Sequence, residues 1–197
     1  KTHRNLVIFL IAFMFYNDGI YTVIRMATIY GKDELGLKNE TLMGTLLMVQ
    51  FIGIGGALLF SKISKAFGTK RILIFVLILW LGILCYACVI TSALDFWMLG
   101  IAVGFVLGGS QAISRSFYGA MIPVDESAEF FGFYSVFAKF SAICGPFVFG
   151  IIRQVTGTSR LAILSLVGFF VIGIVLLCFV KESTAPLQQS GDERIRS

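Results

Sequence analysis

Residues 72–94 read ILIFVLILWLGILCYACVITSAL, 23 positions between Arg71 and Asp95 without one charged side chain. An α-helix rises about 1.5 Å per residue, so about 20 mostly apolar residues cross the hydrocarbon core of a bilayer. This stretch is long enough to do so. Three neighbours repeat it: 21 uncharged residues lie between Glu40 and Lys62, 19 between Asp95 and Arg115, and 20 between Arg160 and Lys181. Two further segments are long enough but interrupted. Asn5 to Tyr30 contains Asp18 and Arg25, and Phe130 to Ile152 contains Lys139. The pattern predicts an all-α polytopic membrane protein with six transmembrane helices, at residues 5–30, 42–61, 72–93, 96–118, 130–152 and 161–180.

The composition agrees. Of 197 residues, 57% are hydrophobic and only 14% charged, with a mean hydropathy of +0.91. A soluble domain carries about a quarter charged residues. A soluble globule, a disordered chain and a disulfide-framed secreted module are all excluded. The net charge of +5 is spread over short loops between apolar runs, so no nucleic-acid partner is expected. Cys85, Cys88, Cys144 and Cys178 sit in apolar runs, and the one histidine is His3. No metal site and no cofactor are expected. Neither HExxH nor GxSxG occurs, and no enzyme activity is expected.

The first segment is too long for a cleaved signal, and Asp18 breaks its apolar core. The chain opens on Lys1 rather than Met, as a piece of a longer protein or a processed chain would. Six crossings put both termini on one side. That side collects Lys1, Arg4, Lys62, Lys65, Lys70, Arg71, Arg115, Lys181, Arg194 and Arg196; the other has Lys32, Lys38, Arg153 and Arg160. Cytoplasmic loops carry the excess of Lys and Arg, so both termini are expected in the cytoplasm. Residues 1–183 would form the six-helix domain and residues 184–197 a cytoplasmic tail.

The polar groups are unevenly shared. The first segment has Asn17, Asp18 and Arg25, the second Gln50, the fourth Ser110 and Gln111, and the fifth Lys139. The third and sixth are almost purely apolar and read as lipid-facing walls. Two marked helices followed by a plain one, twice over, suits two three-helix repeats. A charge at the bilayer centre costs at least about 2.5–3.5 kcal/mol on insertion scales, so such groups face protein or water and mark solute pathways. Asn17, Asp18, Arg25, Gln50, Ser110, Gln111 and Lys139 are therefore the candidate pathway residues. The bland reading is a buried pair of Asp18 with one cation that holds the bundle together.

Asn17-Asp18-Gly19 is turn chemistry in mid-membrane, and the helix either breaks there or runs on with a polar face. Gly100, Gly104 and Gly108, spaced by four, and Gly53, Gly55 and Gly56 predict close helix packing. Gly145-Pro146 frees a backbone carbonyl and predicts a kink. The basic loop at 62–71 serves topology, and Asp125, Glu126 and Glu129 suit the start of the fifth helix; the alternative is a cytoplasmic gate between the two. Asn39-Glu40-Thr41 matches a glycosylation sequon but lies where Asn or Thr would cap a helix.

Six helices with a basic, Gly-containing loop after the second resemble one half of a major facilitator superfamily transporter. Phe67-Gly68-Thr69-Lys70-Arg71 is similar to the end of that superfamily's cytoplasmic loop motif, although Lys65-Ala66 stand where an Asp-Arg pair is usual. Tyr16-Asn17-Asp18-Gly19, Ala27-Thr28-Ile29-Tyr30-Gly31, Gln50-Phe51-Ile52-Gly53, Gly109-Ser110-Gln111, Ser114-Arg115-Ser116, Glu129-Phe130-Phe131-Gly132-Phe133-Tyr134, Gly145-Pro146 and Ser159-Arg160 resemble one subgroup. It holds the fungal autophagy-related vacuolar amino-acid effluxers and their bacterial relatives. The likeness runs from Leu6 to Val180 and corresponds to the C-terminal six helices of twelve. It implies alternating access, a small solute such as an amino acid, possible coupling to protons, and an N-terminal six-helix partner half. It also implies gate roles for Lys65, Gly68, Lys70, Arg71, Arg115 and Glu129. The short loops point to a bacterial cytoplasmic membrane. Transport of a sugar or drug, and a six-helix scaffold that transports nothing, remain as alternatives.

Overall fold

The computed structural model describes residues 2–122 and 127–180. The tail expected at 184–197, the acidic Asp125 and Glu126, and Lys1, Lys181, Arg194 and Arg196 lie outside the described residues. The elements are all helical: α1 (Thr2–Leu35), α2 (Asn39–Phe67), α3 (Thr69–Val89), α4 (Ala93–Gly119), α5 (Ser127–Phe140), α6 (Cys144–Thr156), α7 (Ser159–Ser165) and α8 (Val167–Phe179). Among the described residues there are six spans long and apolar enough to cross a membrane, with α5–α6 forming the fifth and α7–α8 the sixth. The chain is an integral membrane protein, and its described residues supply six apolar helical spans.

The first two helices run well past their apolar cores, because a helix does not stop where the hydrocarbon does. α1 continues through Lys32, Asp33 and Glu34 and ends at Gly36, whose φ of 59° lets the Leu37 amide return to the Gly31 carbonyl at 3.1 Å. α2 continues through Lys62 and Lys65 to Gly68. There φ is 92°, and the chain reverses directly into α3. Asn39 is the first helical residue of α2, not its cap; that position falls to Lys38, which offers no side-chain bond. The fourth helix starts three residues before the apolar run because Ser92 and Asp95 form a reciprocal capping box.

α1 is the central helix, packed against α4, α5, α6, α7 and α8. Its junction with α8 is a reciprocal fit. The Phe170 ring lies where a side chain on Gly19 would go, and Tyr16 lies where one on Gly173 would go. Phe170 in turn stacks on Trp80 of α3, with ring centroids 5.6 Å apart. The third and sixth spans are therefore two-faced. Leu73, Leu77, Trp80, Leu84, Phe170 and Leu177 are fully buried, while Phe75, Ile78, Val171 and Val175 stay exposed. Alternation of apolar residues with other apolar residues hid this split from a polarity reading.

α2 and α4 run parallel, and the two glycine groups seen in the sequence are partners. Gly100 faces Thr45, Gly104 faces the Val49 carbonyl, and Gly108 faces the Gly53 carbonyl. Gly56 takes the backbone of Phe105, and Gly55 points to open space.

A polar clasp closes the end of the bundle away from the termini. The Glu34 carboxylate accepts the Ser159 amide at 2.6 Å and the Arg160 Nε at 3.2 Å. Arg160 also donates to the Cys88 and Ile90 carbonyls, at 3.1 and 3.0 Å, and so caps the C-terminus of α3. Asp33 pairs with Arg153 nearer the surface. Arg160→Met should cost about 2 kcal/mol, since it strands two carbonyls and a half-buried carboxylate. Asp33→Asn should cost under about 1 kcal/mol, because that pair is solvated. Thermal unfolding of the two variants in detergent checks the order.

Candidate functional site

The fifth span is broken at its midpoint. The chain leaves helix at Ser141–Ile143, between α5 and α6. Pro146 explains the place. It has no N–H to donate four residues back, so the Ala142 carbonyl loses its helical partner. Arg25 supplies a replacement, with Nη1 3.4 Å from that oxygen. At the same break, α6 starts with orphan amides and an N-cap, Ile143, that has no side-chain acceptor. Asp18 supplies the acceptor: the Gly145 amide donates to Oδ2 at 2.8 Å. Asn17 Nδ2 donates to Ser141 Oγ at 2.6 Å, and Ser141 Oγ donates to the Ala138 carbonyl.

Asn17, Asp18, Thr22 and Arg25 recur at helical spacing, so one face of α1 serves the whole break. Asp18 lies midway along α1 and is 3% exposed. Its Oδ1 has no hydrogen-bond partner among the described residues. Thr22, fully buried, donates to the Asp18 carbonyl at 2.7 Å. Gly145 is required here. A methyl group on it would press into Thr22 Oγ1 and come 2.9 Å from Asp18 Oδ1.

The break therefore lies in the fifth span and not at Asn17-Asp18-Gly19, where α1 is continuous. The reason is competition. Asn and Asp loosen a helix when their side chains bond their own backbone. Here they bond Ser141 and Gly145 instead. Nor do Asp18 and Arg25 form the buried ion pair of the bland reading. Among the described residues the ion pairs are Asp33–Arg153 and Glu34–Arg160. Arg25 is exposed and lies 5.9 Å from the centre of the Tyr21 ring.

The other sequence candidates fall into separate places. Gln50, Gln111 and Arg115 line one open groove of about 350 Å³ between α2 and α4. Arg115 also lies beside the Tyr134 side chain of α5. Ser110 is buried and donates to the Leu107 carbonyl. Lys139 is exposed on α5, just before the break. At the other end, Lys65 and Arg71 are exposed, Gly68 makes the α2–α3 turn, and Glu129 sits exposed in the first turn of α5. Lys70 donates to the Cys178 and Val180 carbonyls, at 3.0 and 2.6 Å, and caps α8.

Four contributors carry no signal that a reading by charge would catch. Thr22 and Ser141 are common polar residues in apolar runs. Tyr16 donates to Ser114 Oγ at 2.7 Å, since the one Ser114 hydroxyl proton goes to the Ser110 carbonyl. That bond ties α1 to α4 one residue from the break-facing pair. The nearest clue to Thr22 was its spacing of four from Asp18.

These features define a polytopic membrane domain in which the buried Asn17, Asp18, Thr22 and Ser141 meet at a break halfway along the fifth span. Residues 1–190 match the family described as vacuole effluxer Atg22 like, and the chain belongs to that family. It is 38% identical over 185 residues to the uncharacterized MFS-type transporter YxiO of Bacillus subtilis (strain 168), covering 94% of this chain and 43% of that protein. It is 29% identical over 192 residues to autophagy-related protein 22-1 of Aspergillus niger, covering 90% of this chain and 31% of that protein. Autophagy-related protein 22-2 of Aspergillus oryzae is 30% identical over 190 residues, 88% of this chain and 30% of that protein. The chain thus spans less than half the length of these relatives. Its family is one of transporters and not of enzymes.

Proposed function

We propose that this chain is the C-terminal half of a secondary active transporter that exports an amino acid by alternating access. An N-terminal six-helix half completes the path, both termini face the cytoplasm, and the membrane is the bacterial cytoplasmic membrane. The observation that carries the reading is the break at Ser141–Ile143, set against the polar face of α1 at the midplane. Discontinuous helices in transporters place backbone groups where solutes bind, between repeats that rock about the site. The chemistry there suits a zwitterion. Asp18 meets the ammonium, and Arg25 or Lys139 meets the carboxylate. Gln50 and Gln111 line the path beyond. The description of the family as vacuole effluxers and the MFS-type transporter name of the Bacillus subtilis relative support the class of activity.

Asp18→Asn in the full-length protein tests this. Loss of a charge-assisted bond worth about 1.5–3 kcal/mol should lower amino-acid flux into or out of proteoliposomes about ten- to a hundredfold. Unchanged flux and affinity would sink the assignment. Proton coupling through Asp18 is tested by the same variant. If Asp18→Asn still concentrates substrate on a proton gradient, the carrier is another group.

A further inference from the structure

We propose that the first turn of α6, together with Arg25, is a carboxylate-binding subsite, and that Asp18 occupies it until the substrate arrives. The inference rests on the amino-acid reading above and adds how the site is held between substrates. A helix N-terminus in mid-membrane presents unpaired amides and a partial positive charge. Carboxylates are its natural occupants. The occupant here is Asp18, through the Gly145 amide.

Asp18 is a half-satisfied occupant. It is 97% shielded from solvent by its 3% exposure, yet Oδ1 has no partner among the described residues. A buried carboxylate with one oxygen unpaired bears a desolvation cost that a better partner would remove. The Arg25 guanidinium, at the carbonyl just before the same helix start, makes one long contact of 3.4 Å and retains further donors. The α6 amides and a guanidinium together recognise a carboxylate.

A zwitterion permits an exchange in which no charge is left alone. The substrate carboxylate takes the Gly145 amide and pairs with Arg25. Asp18 leaves the helix terminus and turns both oxygens to the substrate ammonium. A carboxylate without an ammonium has nothing to give Asp18 in return, and is refused. The resident carboxylate thereby selects amino acids over simple acids.

Cys144, exposed in the first turn of α6, is the reporter. The full-length transporter, with Cys144 as its sole cysteine, is reconstituted and the rate of Cys144 alkylation by a maleimide is measured. The probes are a mixture of the standard amino acids, and acetate. With Asp18 present, the amino acids should slow alkylation and acetate should not. In Asp18→Ala the order should reverse, with acetate protecting at a concentration at least about tenfold lower than in the parent. Asp18→Asn, which keeps an oxygen for the Gly145 amide, should fall between and guards against a fold defect in the alanine variant. If acetate protects neither variant better than the parent, Asp18 holds no carboxylate site and the exchange is overturned. If amino acids leave the parent unprotected and untransported while acetate protects Asp18→Ala, the subsite stands and the amino-acid reading falls.

Discussion

Gly108→Leu is expected to abolish the folded bundle. A side chain at Gly108 would land on the Gly53 carbonyl oxygen and 2.9 Å from the Ala57 amide nitrogen. Both are backbone of a parallel helix, so no rotamer change relieves the clash and α2 and α4 must separate. Overpacking of this kind costs about 3 kcal/mol or more. It would also break the neighbouring contacts at Gly104 and Gly56, which use the same close approach. The matched control is Gly55→Leu, on the same pair but facing open space. Size-exclusion chromatography of the detergent-purified proteins should show aggregation for the first and a parent-like peak for the second. Equal behaviour of the two would mean that the α2–α4 contact is looser than described.

Gly145→Val should leave the protein folded and nearly stop transport. The added carbons push on Thr22 Oγ1 and Asp18 Oδ1, both on α1. α6 then shifts by the better part of an ångström at the break, and Asp18 loses its bond to the residue-145 amide. Misplacement of about 1 Å at a working site costs about a hundredfold in rate. Gly150→Val, one and a half turns further along α6 with nothing within 4 Å, is the control and should transport like the parent. The comparison separates damage at the break from a general effect of valine on the helix. Similar flux through both variants would remove the break from the transport path.

The number and class of the helices were legible in the chain because bilayer crossing is a property of local composition. A run such as 72–94 has no charge to place, and length alone decides that it spans. The glycine rows and Pro146 were legible for a similar reason: a missing side chain and a missing N–H act whatever surrounds them. Asp18, too, stood out unaided, since a charge in an apolar run always needs an explanation.

What each of these features meets was decided only in three dimensions. Gly53 and Gly108 are 55 positions apart in the chain, yet their backbones touch. Asp18 and Gly145 are separated by 127 positions and share one hydrogen bond. The sequence alone left α1 either broken or whole at Asn17–Gly19. The tertiary structure keeps it whole, because the polar side chains there spend their bonds on the other helix. It puts the break in the fifth span, where Arg25 and Asp18 take up the groups that Pro146 and the new helix start leave unpaired. Composition settles whether a segment enters the membrane. With no water in the hydrocarbon core, the backbone groups freed at a break must find partners on neighbouring helices, and only packing decides which helix supplies them.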